Sequence, residues 1–414
     1  MSSFFKNILV VMTGTAIAQL IGFLLVPVIS RLYSPSDFGV YGSFNAILGI
    51  IAAGVTLDYT QAIMLPKQKE DAFNLFVLSC VFTVLISTCC LAVCIFAPET
   101  FQRFMKVSNA WMLLLLVLAI LVRGLNTSLQ AWCVRVKAFK HTSASQVIRS
   151  ISCNGTQIGF GYFKTGAKGL IIGSILANLL ASLNLFRVLL PDLLAFRSYI
   201  KWDRIKRLAI DYRDFPMYSA THNVINALSA GLAVILLTHF YGIAVAGAYA
   251  FGFRTLMMPM RFVLSALRQV LFQKVGETQR RGGSLFPLYT KTTLGLFGLA
   301  LFPALLFFVW GPQIFTLVFG PQWYMAGEFV QSLVLWAIFI FCNVPAVMFA
   351  KVIRIQRLVF IYNLWLLIAR VSALVFGGLY LNAKYTVMLF ALVGSSMNLI
   401  LILLVGYAVM IREK

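Results

Sequence analysis

Residues 247–272 read GAYAFGFRTLMMPMRFVLSALRQVLF, and this apolar stretch carries Arg254, Arg261 and Arg268. A membrane-spanning helix needs about 20 mostly apolar residues, so the segment is long enough to cross a bilayer. A charge at the bilayer centre costs about 2.5–3.5 kcal/mol on insertion scales and must face a partner or water. The arginines stand seven residues apart, a spacing that turns a helix by only about 20° from one to the next. All three therefore share one face and cover about 21 Å along it.

Segments of the same kind repeat from end to end. The chain has 414 residues, of which 61% are hydrophobic and 11% charged, too little polar surface for a soluble protein of this length. Apolar runs near 8–30, 38–64, 72–96, 110–132, 146–163, 170–190, 215–239, 246–271, 290–310, 325–350, 358–380 and 386–411 predict an all-α polytopic membrane protein of about twelve transmembrane helices. The formal charge is +22, and its placement decides its meaning. With a cytoplasmic N-terminus, one set of loops holds most of the Lys and Arg, including Lys69, Arg135, Lys140, Arg204, Arg207, Arg281, Arg354 and Arg357. The other set holds only Arg31, Arg103, Lys106, Lys164, Lys168 and Lys384. The positive-inside bias puts both termini in the cytoplasm. The basic excess is then topology, and no nucleic-acid partner is expected. The first run imitates a signal peptide but continues to Ile29, which predicts a permanent span.

Tyr33, Gly39 and Tyr41 recur in spacing as Tyr241, Gly247 and Tyr249. The offset is close to half the chain, as expected of a six-plus-six duplication with a pseudo-twofold axis along the membrane normal. The expected domains are an N-terminal six-helix lobe at 1–190, a cytoplasmic linker at 191–214 and a C-terminal six-helix lobe at 215–414. Residues 200–210 of the linker are amphipathic and suited to a membrane surface. Two lobes around an axis leave a central cleft, where transport folds bind substrate.

Beyond the ladder, Arg123 and Arg370 fall in mid-span, with Arg149 and Arg187 near cytoplasmic ends. Internal acids are few. Asp58 is the one well inside a run, while Asp37 and Glu328 sit near non-cytoplasmic ends. Arg268 and Arg187 can snorkel to the interface, but Arg254 and Arg261 lie too deep for that. They need either a functional cavity or a partner such as Asp58 or helix-end carbonyls. A ligand can supply the missing negative charge, and the planar guanidinium fork suits phosphate or pyrophosphate. The cysteines show no CxxC pair, and the three histidines are scattered. No GxxxxGK[ST], GxSxG or HExxH motif occurs, so neither metal nor cofactor is expected.

The run SRLYSPSDFGVY from Ser30, AIMLPK from Ala62, QAWCVRVKAFK from Gln130, QIGFG from Gln157, GLIIG from Gly169 and DFPMYS from Asp214 resemble the bacterial O-antigen or oligosaccharide flippase family. The stretch with GAYAFGFR is similar to that family's eighth helix. The resemblance covers about 19–275; the last third matches in hydropathy alone. It implies the multidrug/oligosaccharidyl-lipid/polysaccharide exporter fold, alternating access and a place in the bacterial inner membrane. It also implies undecaprenyl-diphosphate-linked oligosaccharide as substrate, with membrane lipid and polysaccharide assembly proteins as partners. Where relatives carry Arg-Tyr-Glu, this chain has Asp58-Tyr59-Thr60, which alters any family ion pair there. On this reading Arg254 and Arg261 hold pyrophosphate, Arg123 and Arg370 complete a cationic cavity, and Arg268 draws the anion to the cytoplasmic mouth. Asp58 is a candidate for coupling or an ion pair. The rival readings are a drug/cation antiporter, which needs carboxylates in its cleft, a membrane polysaccharide polymerase, which needs a large periplasmic loop, and a scramblase or structural subunit.

Overall fold

The computed structural model describes residues 3–96, 110–280, 283–353 and 355–412. Arg103, Lys106, Arg281 and Arg354, which enter the charge count above, lie outside the described residues.

The described backbone is helical because lipid offers no partner for a free N–H or C=O. The elements are α1 (Ser3–Leu32), α2 (Pro35–Gly54), the single turn α3 (Tyr59–Ala62), α4 (Lys69–Phe96), α5 (Ala110–Arg135), α6 (Phe139–Tyr162) and α7 (Ala167–Phe196). Then come α8 (Trp202–Asp211), α9 (Thr221–Tyr241) entered through a π turn at Phe215–Ala220, α10 (Ile243–Arg280), α11 (Phe286–Phe319), α12 (Tyr324–Val352), α13 (Gln356–Tyr380) and α14 (Ala383–Arg412). Among the described residues, eleven segments are long and apolar enough to cross a membrane. The exception among the expected twelve is α6, whose 24 residues have the length but not the apolarity. It carries Lys140, His141, Arg149, Asn154 and Gln157 among many Ser and Thr, yet packs along α1 and α7.

The chain forms two compact units, 1–235 and 236–414. This division falls inside α9, beyond the linker expected at 191–214. The first turns of α9 pack on the first unit, where a Cβ on Gly231 would lie 3.3 Å from the Ala46 carbonyl. That linker is ordered: Arg204 of α8 pairs with Asp71 at 2.6 Å, and Ile205 and Leu208 are buried. The amphipathic face expected to lie on lipid therefore docks against α4.

In the first unit, the YSPSDFG motif builds the start of α2. Ser34 and Asp37 form a reciprocal cap, with Pro35 at the first helical position. The second oxygen of Asp37 accepts from the Ala167 N–H at 3.0 Å, tying α2 to the start of α7. Gly166, at φ 62°, makes that approach possible. The core centres on Trp132, stacked edge-on against Phe73, with its indole N–H donated to Asp192 at 3.0 Å. In the second unit, Phe251 of α10 stacks on buried Trp323 at 3.9 Å. The lack of a side chain at Gly252 lets α10 approach the Ala326 carbonyl closely.

Candidate functional site

The arginine ladder lies on one continuous helix. α10 runs unbroken from Ile243 to Arg280 with Pro259 inside it, so the seven-residue spacing is realised as a stripe. Arg254 and Arg268 are exposed, and neither has a hydrogen-bond or ion-pair partner among the described residues. The Arg261 backbone belongs to the same helix, but its side chain lies outside the described residues. Leu256 and Met257 are buried on another side of α10. There α10 also borders an apolar cleft of about 550 Å³, lined by Leu256, Pro259, Met260, Pro303 and Phe341 among others. Among the described residues no charged side chain lines that cleft.

A second cationic group lies in the first unit. Arg123 of α5 stands close enough to Arg149 of α6 and to Tyr41 to interact with both electrostatically. The arginine side chains are exposed, and like charges brought together without an acid favour an anionic ligand. Arg149 was placed near a helix end by the sequence and gains its interest only from this neighbour. The signal for it was the polarity of α6 itself. Gly155 and Gly159 on that helix have nothing within 4 Å of a would-be Cβ, so part of α6 faces open space.

Arg370 is differently housed. It projects from α13 into the second unit, with its guanidinium carbon 4.4 Å from the centre of the Trp336 ring and 5.4 Å from that of Phe390. Trp336 in turn stacks on Phe253 at 5.5 Å, the residue just before Arg254. Sequence reasoning missed Trp336, because its contact with Arg370 exists only once α12 and α13 pack.

Asp58 sits where α2 has ended and α3 begins. Leu57 and Asp58 both have left-handed backbone, φ 46° and 57°, a region that costs non-glycine residues energy. The carboxylate is buried and accepts hydrogen bonds from Ser219 and Asn223. Its partners are thus a hydroxyl and an amide of the same unit. The other two acids expected near the membrane are also engaged, Asp37 in the cap above and Glu328 with Lys384 at 2.9 Å. Among the described residues no cluster of His, Cys, Asp and Glu could hold a metal ion.

The fold has counterparts among known proteins. A family profile described as "Polysaccharide biosynthesis protein" matches residues 28–328. No curated protein sequence matches the chain. A solved inward-facing multidrug resistance MATE family transporter of the MOP superfamily is similar, with TM-score 0.72 and 14% identity over 95% of this chain and 94% of that one. So is the lipid II flippase MurJ in an inward closed conformation, with TM-score 0.76 and 12% identity over 98% and 91%. An outward-facing MATE structure of the same superfamily aligns with TM-score 0.63 at 14% identity, over 99% and 95%. At such identities the likeness speaks for the fold. A multi-pass membrane protein with this transporter fold, matched by that profile over most of its length, the chain belongs to the polysaccharide biosynthesis protein family.

Proposed function

We propose that the chain is a flippase for undecaprenyl-diphosphate-linked oligosaccharide, an O-antigen or similar polysaccharide repeat. It moves the headgroup from the cytoplasmic to the periplasmic leaflet of the bacterial inner membrane by alternating access, with both termini cytoplasmic. The observation that carries this reading is the set of unpaired arginines on membrane helices. Arg254 and Arg268 on α10 have no acidic partner among the described residues, and Arg123 and Arg149 repel each other. A site with surplus positive charge suits an anion, and a guanidinium fork suits a diphosphate.

Arg254 and Arg261 bind the pyrophosphate, Arg268 attracts it from the cytoplasmic side, and Arg123 with Arg149 adds positive potential in the first unit. The polyprenyl tail stays in lipid. Family membership supports a polysaccharide precursor as cargo, and a lipid II flippase shares the fold. The chain thereby works beside the polysaccharide assembly proteins that make and use the repeat. A drug/cation antiporter is disfavoured, because the described acid in the first unit's helix break, Asp58, is already held by Ser219 and Asn223.

The test is reconstitution. Purified protein in vesicles, loaded on one leaflet with a fluorescent undecaprenyl-diphosphate oligosaccharide, should expose that sugar to a reagent on the other side. Equal exposure in protein-free vesicles, or transport of an organic cation instead, would refute the assignment.

A further inference from the structure

We infer that Arg370 is the centre of a second anion site, within the second unit, that takes a small monovalent anion of the chloride class. This goes beyond the flippase reading and does not depend on it.

The argument begins with what Arg370 lacks. Its α13 neighbours one and two turns before, Leu366 and Tyr362, are buried, as are Ala373 and Leu374 after it. These residues share a face, so Arg370 points into the unit. Its Nε is enclosed and has no hydrogen-bond partner. Among the described residues no acceptor meets any of its N–H groups, although a guanidinium carries five. The second unit contains only three acids, Glu277, Glu328 and Glu413. Glu328 is taken by Lys384, Glu277 follows the last buried turn of α10, and Glu413 is the penultimate residue of the chain. Among the described residues, then, no carboxylate neutralises Arg370.

Nearby groups bring further donors, and the phenol oxygens of Tyr249 and Tyr362 also lie near enough to interact with Arg370. The indole N–H of Trp336 is enclosed and unpartnered, and so is the Tyr362 hydroxyl. Trp336 Nε1 and one terminal nitrogen of Arg370 meet at the same point on α14. A Cβ built on Gly394 would lie 2.8 Å from the first and 3.3 Å from the second. Two N–H groups from different helices therefore converge over a backbone that only glycine leaves clear.

Cation–π contact with Trp336 and Phe390 covers the faces of the guanidinium but satisfies none of its N–H groups. Arg370 as a whole is only half-buried, so with Nε enclosed it is the terminal edge that stays open. Rings cover its faces, Nε is enclosed and the α14 backbone at Gly394 crowds one terminal nitrogen, so the space left beside the edge suits a compact anion.

The experiment uses purified full-length protein in detergent, with thermal unfolding followed in sodium chloride, bromide or gluconate at constant ionic strength. A ligand that binds the folded state raises the midpoint with a saturable dose dependence. We expect that rise in chloride and bromide but not in gluconate, its loss in Arg370→Gln, and its weakening in Gly394→Ala. Bromide should also quench a saturable part of the tryptophan fluorescence, a part absent from Trp336→Phe. That second measurement decides the matter if Arg370→Gln fails to fold. Equal wild-type midpoints in the three salts, halide dependence retained by a folded Arg370→Gln, or saturable quenching unchanged in Trp336→Phe would each overturn the proposal.

Discussion

The Tyr33 hydroxyl donates to the Gln157 carbonyl at 2.6 Å, and the Tyr241 hydroxyl donates to the Gly377 carbonyl at 2.7 Å. Each tyrosine follows or ends the first long helix of its half, and each acceptor lies on the fifth, α6 or α13. Small residues repeat the relationship. A Cβ on Gly161 would strike Leu32 and Tyr33, and one on Gly378 would strike Phe240. The two halves thus close their first helix on their fifth by the same chemistry, as a duplicated unit would. Loss of such a bond costs about 1–3 kcal/mol where it is buried, as at Tyr33, and less where it is part-buried, as at Tyr241. Tyr33→Phe and Tyr241→Phe should each lower the thermal midpoint of the detergent-solubilised protein, with little added effect on surface polysaccharide at permissive temperature. A midpoint unchanged in both would mean that these phenols do not hold the helix ends.

The spans and the stripe of arginines were legible in the sequence because each is a property of one helix. Apolar length needs no neighbour, and a seven-residue spacing fixes a face whatever packs against it. The polar α6 broke the apolar-length rule because α1 and α7 cover much of it, which a hydropathy window cannot see. Ile205 and Leu208 gave an amphipathic pattern correctly, but the pattern alone does not distinguish lipid from the flank of α4. The Arg370–Trp336 contact, and the approach of Arg149 to Arg123, join helices separately placed in the chain. No local signal encodes such pairs.

Asp58 gives a prediction about charge against conformation. Asparagine tolerates left-handed backbone and can still accept from Ser219, so Asp58→Asn should stay within about 1 kcal/mol of wild type in stability. Asp58→Val puts a β-branched residue at φ 57° and leaves Ser219 without its acceptor. It should lose about 2–4 kcal/mol, seen as a lower midpoint and reduced membrane level. If Asp58→Asn is well folded but loses export, the negative charge itself takes part in transport.

Topology follows from the asymmetry of Lys and Arg. Reporter fusions after Lys69, Lys140, Arg207, Arg281 and Arg357 should read cytoplasmic, and those after Lys106, Lys168 and Lys384 periplasmic. The pair flanking α6, Lys140 and Lys168, is the most informative, because that helix is too polar to be counted by hydropathy. Same-side readings there would remove α6 from the set of spanning helices and invert every later loop.

The ladder on α10 supports a graded series. Arg254 is exposed on a helix whose other flank is buried, so its truncation should leave packing intact and remove only a ligand contact. A charge-assisted hydrogen bond contributes on the order of 1.5–3 kcal/mol, or roughly ten- to a hundredfold in binding. Arg254→Ala should therefore lose nearly all export. Arg254→Lys keeps the charge but not the planar fork, and should lose part of it. Arg261→Ala should resemble Arg254→Ala if both arginines grip one diphosphate. Arg268→Ala should be milder and more sensitive to salt, because a charge that steers an anion acts at long range and is screened. The measurement is surface polysaccharide in a strain lacking the gene, normalised to the amount of each variant in the membrane. Full export by well-expressed Arg254→Ala and Arg261→Ala would make the stripe a structural feature and move the substrate site elsewhere. Arg123 and Arg149 of the first unit would then be the next residues to replace.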